Sequence, residues 1–140
     1  MIMKKYYGTK VILAEQMDRK QYNDLRNWEV PEDENPNDDG YLVCYQGQPS
    51  NVEGYEGYVS WSPKEVFEQT YKELPERTLP HQERVDIERA QLNERAEGLE
   101  SFIGTDNFFA LPKIEQESLT EQLEAMIWYR DVLDKRIARF

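Results

Sequence analysis

Phe102, Phe108 and Phe109 fall close together in the chain, with Asp106 and Asn107 between them. Aromatic faces stack purines, and an asparagine can pair with the amino edge of adenine. Arg84, Arg89, Arg130 and Arg136 flank this cluster on both sides. Their planar guanidinium forks suit phosphate oxygens. Together these residues form a constellation for a small anionic, nucleotide-like ligand. A plainer reading stands beside it. Arg84 with Glu88, and Arg130 with Asp134, have the spacing of ordinary i,i+4 surface pairs. Phe102 and Phe108 can also simply plug the end of a helical hairpin.

The residue types that would carry catalysis are sparse. One histidine, His81, and one cysteine, Cys44, cannot build a zinc site within one chain. His81 reads as a solvated linker residue. Cys44, between Val43 and Tyr45, reads as a small packed strand residue. The chain has no phosphate-cradling glycine loop. The acidic segment from Pro31 to Gly40 lacks the ligand spacing and terminal glutamate of an EF-hand. No catalytic residue, metal or cofactor is expected, and ligand binding is the chemistry that remains.

The elements that must position these groups follow from periodicity and punctuation. Val11–Met17 reads as a first strand. Asp18 with Gln21 fits a capping box opening a short helix through Leu25. Tyr41–Tyr45 and Gly57–Trp61 read as two further strands. Ser62, Pro63 and Glu65 combine an N-cap, a first-turn proline and a third-position glutamate, predicting a helix through Val66, Phe67 and Tyr71. Residues 1–74 are thus an α+β module, a small antiparallel sheet with short helices. Pro75 and Pro80 bound a stiff linker over 75–80. Residues 81–140 read as a two-helix antiparallel hairpin. Val85, Leu92, Ala96, Leu99, Phe102 and Ile103 form one stripe, with Gly104 as a C-cap candidate. From Pro112 onward Leu119, Leu123, Met126, Leu133, Ile137 and Phe140 form the other, widened by Ile127 and Trp128. Lys135, Arg136 and Arg139 complement the dipole of that last helix. Heptad seams of this length predict self-association of hairpins.

Composition bounds the partners. The 140 residues carry a net charge of −11, of which −6 lies on residues 1–80 and −5 on 81–140. Neither part has the basic excess of a nucleic-acid binder. Three Trp, nine Tyr and five Phe supply cores and argue against disorder. One cysteine fits a reducing cytoplasm. The start, Met1-Ile2-Met3-Lys4-Lys5, leads into polar sequence without a signal-peptide core, and no run reaches transmembrane length, so no membrane partner is expected.

Several phrases resemble known phage proteins. Tyr7-Gly8-Thr9-Lys10, Trp28-Glu29-Val30-Pro31-Glu32, Gly40-Tyr41-Leu42-Val43 and the run Gly57–Phe67 look like a module common in small phage proteins. His81-Gln82-Glu83-Arg84-Val85, Leu99-Glu100-Ser101-Phe102-Ile103 and the run Met126–Ile137 look like the helical hairpin of phage signal sponges. The combination resembles the first family of Thoeris anti-defence proteins. That resemblance implies a non-enzymatic protein acting in the host cytoplasm during infection. It would sequester glycocyclic ADP-ribose, the signal of a TIR-domain enzyme, as a homodimer or a hexameric trimer of dimers. Relatives of the hairpin sequester the cyclic di- or trinucleotides of CBASS. Lysine is usual in related hairpins where this chain carries Arg89. Two alternatives remain open at this stage. The aromatic sheet or the acidic surface can bind and inhibit a host protein. DNA mimicry would require carboxylates along one face, whereas acids and bases interleave on the hairpin.

Overall fold

The computed structural model describes residues 2–140. The chain folds as two compact units, Met1–Lys72 and Glu73–Phe140.

The first unit is a three-stranded antiparallel sheet in the order β1-β2-β3, with two short helices. Strand β1 (Leu13–Gln16) is shorter than the apolar run suggests. Only these four residues find partners, from Leu13 opposite Cys44 to Gln16 opposite Tyr41. The capping box of α1 (Arg19–Leu25) forms as its sequence dictates. Asp18 Oδ1 accepts from the Gln21 amide at 2.8 Å, and Gln21 Oε1 accepts from the Asp18 amide at 2.9 Å. The amides of Arg19 and Lys20 donate to the carbonyls of Asp38 and Pro36, so the acidic loop is pinned to the start of α1.

Strands β2 (Gly40–Tyr45) and β3 (Tyr58–Pro63) pair along their full length. Helix α2 (Lys64–Thr70) starts later than the sequence predicts. Ser62 is paired with Tyr41 in the ladder, so Pro63 takes the N-cap position and Tyr71 lies past the helix end. One sheet face packs Leu42, Cys44 and Val59 against Tyr22, with Met17, Leu25, Val52, Tyr55 and Trp61 around them. Cys44 is the small buried residue that its position implies. Trp61 Nε1 donates to the Met17 carbonyl at 2.8 Å. The Asn51 amide closes two hydrogen bonds on the Val59 backbone at 2.7 and 2.9 Å, standing in for a missing fourth strand. Tyr41, Phe67 and Tyr71 stack in sequence at centroid distances of 4.0 and 5.0 Å. The described part of the fold is therefore α+β, as the sequence predicts.

The second unit is a helical hairpin with a one-turn helix at its bend: α3 (Pro80–Phe102), α4 (Asp106–Phe109) and α5 (Lys113–Ile137). Pro80 occupies the first helical turn, where its missing N–H costs nothing. His81 consequently lies in that turn and not in a linker, with its ring edge-on to Phe140 at 6.2 Å. Arg77, in the predicted linker, is tied back to α3. It donates from Nε and Nη2 to Asp86 at 2.7 and 3.0 Å and covers the Phe140 ring. Gly104 adopts φ +95° just beyond α3, a conformation that favours glycine.

The inner seam is covered within one hairpin. Val85, Leu92 and Leu133 are buried together, with Met126 and Ile137 packed against them. Trp128 does not widen this seam as its spacing suggests. It is 75% exposed, on the opposite side of α5 from Leu133. No helix among the described residues is long and apolar enough to cross a membrane.

Candidate functional site

The apolar seam read from sequence lacks an apolar residue at one seam position on each helix, between Val85 and Leu92 and between Met126 and Leu133. Both gaps hold an arginine. Arg89 is half-buried on α3, and its Nε and Nη2 donate to Asp134 of α5 at 2.8 and 3.4 Å. Arg130 is half-buried on α5, and its Nη1 donates to Asn93 Oδ1 of α3 at 3.0 Å. Asn93 in turn donates to Glu97 at 3.1 Å. Two polar rungs therefore cross the hairpin, one on each side of the Leu92–Leu133 layer. Such rungs fix helix register, because a shifted seam would strand a charged group against apolar side chains. The i,i+4 pair of Arg130 with Asp134 expected from sequence is replaced by this cross-helix arrangement. Arg89 holds the Asp134 carboxyl below its usual range, first by the hydrogen bond and then by its charge, and Arg130 adds to the same effect.

The aromatic cluster sits at the bend. The Thr105 hydroxyl caps α4 by accepting from the Phe108 amide at 3.3 Å and donates to the Phe102 carbonyl at 2.7 Å. Phe108 is buried, edge-on to half-buried Phe102 at 6.1 Å and to Phe109 at 5.3 Å. Phe102 and Phe108 thus plug the hairpin end. Phe109 is 63% exposed and presents a free face. Gln116 donates to the carbonyls of Phe109 and Leu111 at 3.2 and 2.9 Å, locking the bend onto α5. Asn107 is exposed on α4. Beside the bend lies an open cleft of about 410 Å³, lined by Phe108, Phe109, Lys113, Gln116 and Thr120 with Glu117, Glu121 and Glu124. Its three carboxylates outnumber its one lysine. A larger cleft of about 560 Å³ in the sheet unit, between Arg19 and Trp61, carries Glu34, Asp38, Asp39 and Glu65 and is likewise acidic.

One hairpin does not bring all the sequence-predicted site residues together. Arg84 is exposed near the start of α3 and Arg136 is exposed near the end of α5, both at the open end. At 1.5 Å rise per residue, Arg89 lies about 20 Å from Phe102 along α3, and Arg130 about 25 Å from the start of α5. The arginines and the aromatics form two clusters at different levels of the hairpin. Asn93 and Gln116 were not singled out by spacing. Thr105 before Asp106 is the N-cap signal that would have located α4 and shown which phenylalanine faces solvent. Among the described residues no cluster of His, Cys, Asp or Glu could hold a metal ion.

Residues 79–139 match the family model described as Sequestin. The Sequestin match spans α3, the bend and α5, from the Leu79 cap to the penultimate residue. It covers both polar rungs and the aromatic cluster, and it leaves out the sheet unit. The name denotes sequestration, which at that coarse level agrees with a sequestering anti-defence protein. No curated protein and no solved structure matches the chain.

Proposed function

We propose that this protein binds and sequesters a cyclic-nucleotide-type immune signal without cleaving it. Glycocyclic ADP-ribose of Thoeris is the first candidate, and the cyclic di- and trinucleotides of CBASS are the second. The observation that carries the reading is the Sequestin match over the whole hairpin. The exposed face of Phe109 supports it, as do Arg84, Arg89, Arg130 and Arg136, which lie on the two helices that the match spans.

Magnitudes set what the site must supply. Sequestration at nanomolar levels needs about −12 kcal/mol. An exposed ion pair contributes at most about 1 kcal/mol. Base stacking, several charge-assisted hydrogen bonds and exclusion of water must act together. Calorimetric titration with glycocyclic ADP-ribose isomers and with cyclic di- and trinucleotides tests the proposal. A nanomolar dissociation constant for one member is expected. No binding of any of them would overturn it.

A further inference from the structure

The two edges of the sheet are finished differently. Hydrogen bonds across an antiparallel ladder alternate, so every second residue of an edge strand turns its N–H and C=O outward. On β3 the outward groups of Val59 are taken up by the Asn51 side chain at 2.7 and 2.9 Å, and Pro63 has no N–H to offer. That edge is closed. On the other side, the Met17 amide donates inward to the Gly40 carbonyl at 2.9 Å. By the same alternation Leu13 and Glu15 bond β2, and the backbone groups of Ala14 and Gln16 face outward. Among the described residues nothing bonds that edge. An edge left open in this way is a template for a further strand. Leu13 lies opposite buried Cys44, on the core face of the sheet, yet is 53% exposed. Val11, two residues earlier, is exposed to the same extent. The core therefore reaches β1 and stops there uncovered.

The charge beside this edge says what fits it. Residues 1–14 hold Lys4, Lys5 and Lys10 and no acidic residue, in a chain whose net charge is −11. Residues 2–12 form neither helix nor strand. Lys10 sits over the Tyr45 ring of β2 at 4.8 Å, so the basic segment is still beside the sheet at that point. We propose that β1 is the docking edge for an extended acidic segment of a partner protein, which adds to the sheet as a further strand. Main-chain hydrogen bonds to Ala14 and Gln16 hold the added strand, and its side chains set its identity. Apolar residues at alternate positions cover Leu13 and Val11 on the core face. Carboxylates on the other face and beyond meet Lys10, Lys5 and Lys4. The sheet unit is the one that the Sequestin match leaves out, so the proposal stands apart from the sequestration reading.

The test titrates the full chain into two fluorescently labelled peptides, one alternating valine with aspartate and one alternating valine with lysine. Anisotropy should rise with the aspartate peptide, and the lysine peptide should bind at least about tenfold more weakly. Ala14→Pro removes an outward N–H and leaves the ladder to β2 intact. It should weaken binding of the aspartate peptide about tenfold while circular dichroism and melting temperature stay near wild type. Lys4→Glu/Lys5→Glu lies outside every helix and strand and should abolish the preference for the aspartate peptide. That charge variant decides the outcome if Ala14→Pro does not fold. No binding of either peptide, equal binding of both, or a preference that survives the lysine changes would overturn the proposal. So would undiminished binding of the aspartate peptide by a folded Ala14→Pro protein. A fall in molar mass by light scattering in Ala14→Pro would assign the edge to a second copy of the chain and overturn it equally.

Discussion

The sheet unit and the hairpin treat their apolar side chains differently. In the first, Leu42, Val43 and Val59 are almost wholly buried, and side chains distant in sequence bond the backbone around them, Asn51 from a loop and Trp61 from β3. Its exposed apolar residues, such as Tyr6, Trp28 and Val66, are spread over the segment before β1, a loop and a short helix. In the hairpin, Leu92 and Leu133 complete one seam, yet Trp128, Tyr129 and Val132 stay exposed along a single stripe. Scattered exposure is ordinary for a folded surface, whereas a contiguous stripe marks an interaction face. The contrast sets the hairpin apart as the unit that carries a contiguous exposed apolar stripe. The Sequestin match falls on that unit and not on the sheet.

Substitutions in each unit sharpen the contrast, and the largest effects belong to the two cores. Leu133→Ala should cost about 2–5 kcal/mol, since it empties a fully buried seam position; urea unfolding followed by far-UV helicity measures it. In the sheet unit, Gly40→Ala should destabilise by about 1–3 kcal/mol. A Cβ there would collide with the Ser62 carbonyl and the Trp61 ring. Trp61 fluorescence during unfolding reports this loss. Arg130→Ala should have an intermediate effect of about 1–2 kcal/mol by thermal melting, because it breaks a half-buried charged hydrogen bond to Asn93. An unchanged melting temperature would return Arg130 to the surface role that its spacing suggests.

The smallest expected effect is Asp134→Asn. The carboxyl is depressed by Arg89, so the folded state binds its proton less readily than the unfolded chain does. The stabilisation it provides is full above the ordinary carboxylate range and is lost as pH falls through the folded value. The variant should melt slightly below wild type at pH 7. The difference should close on acidification below about pH 4. A gap that persists in acid would mean that Asp134 acts by packing and not by charge.

Much of this architecture was legible in the residues. The Asp18–Gln21 capping box, the three strands and both long helices follow from patterns that local physics enforces. The start of α2 did not, because Ser62 has a strand partner in Tyr41 that no local rule reveals. Arg89 and Arg130 were legible as phosphate donors but not as rungs of the hairpin, since their partners Asp134 and Asn93 lie on the other helix. The sequence also could not tell which phenylalanine remains free. Phe108 is consumed by packing against Phe102, and only the Thr105-capped turn leaves Phe109 outside. Trp128 looked like seam because adjacent residues on a helix share apolar character without sharing a face.

Sequestration without turnover is tested most directly by recovering the ligand. The protein is incubated with a limiting amount of glycocyclic ADP-ribose, freed of unbound ligand by filtration, heat-denatured, and the supernatant analysed by mass spectrometry. The account predicts that the signal disappears from the filtrate and returns intact after heating. Signal that stays in the filtrate, or a hydrolysed product in its place, would contradict it.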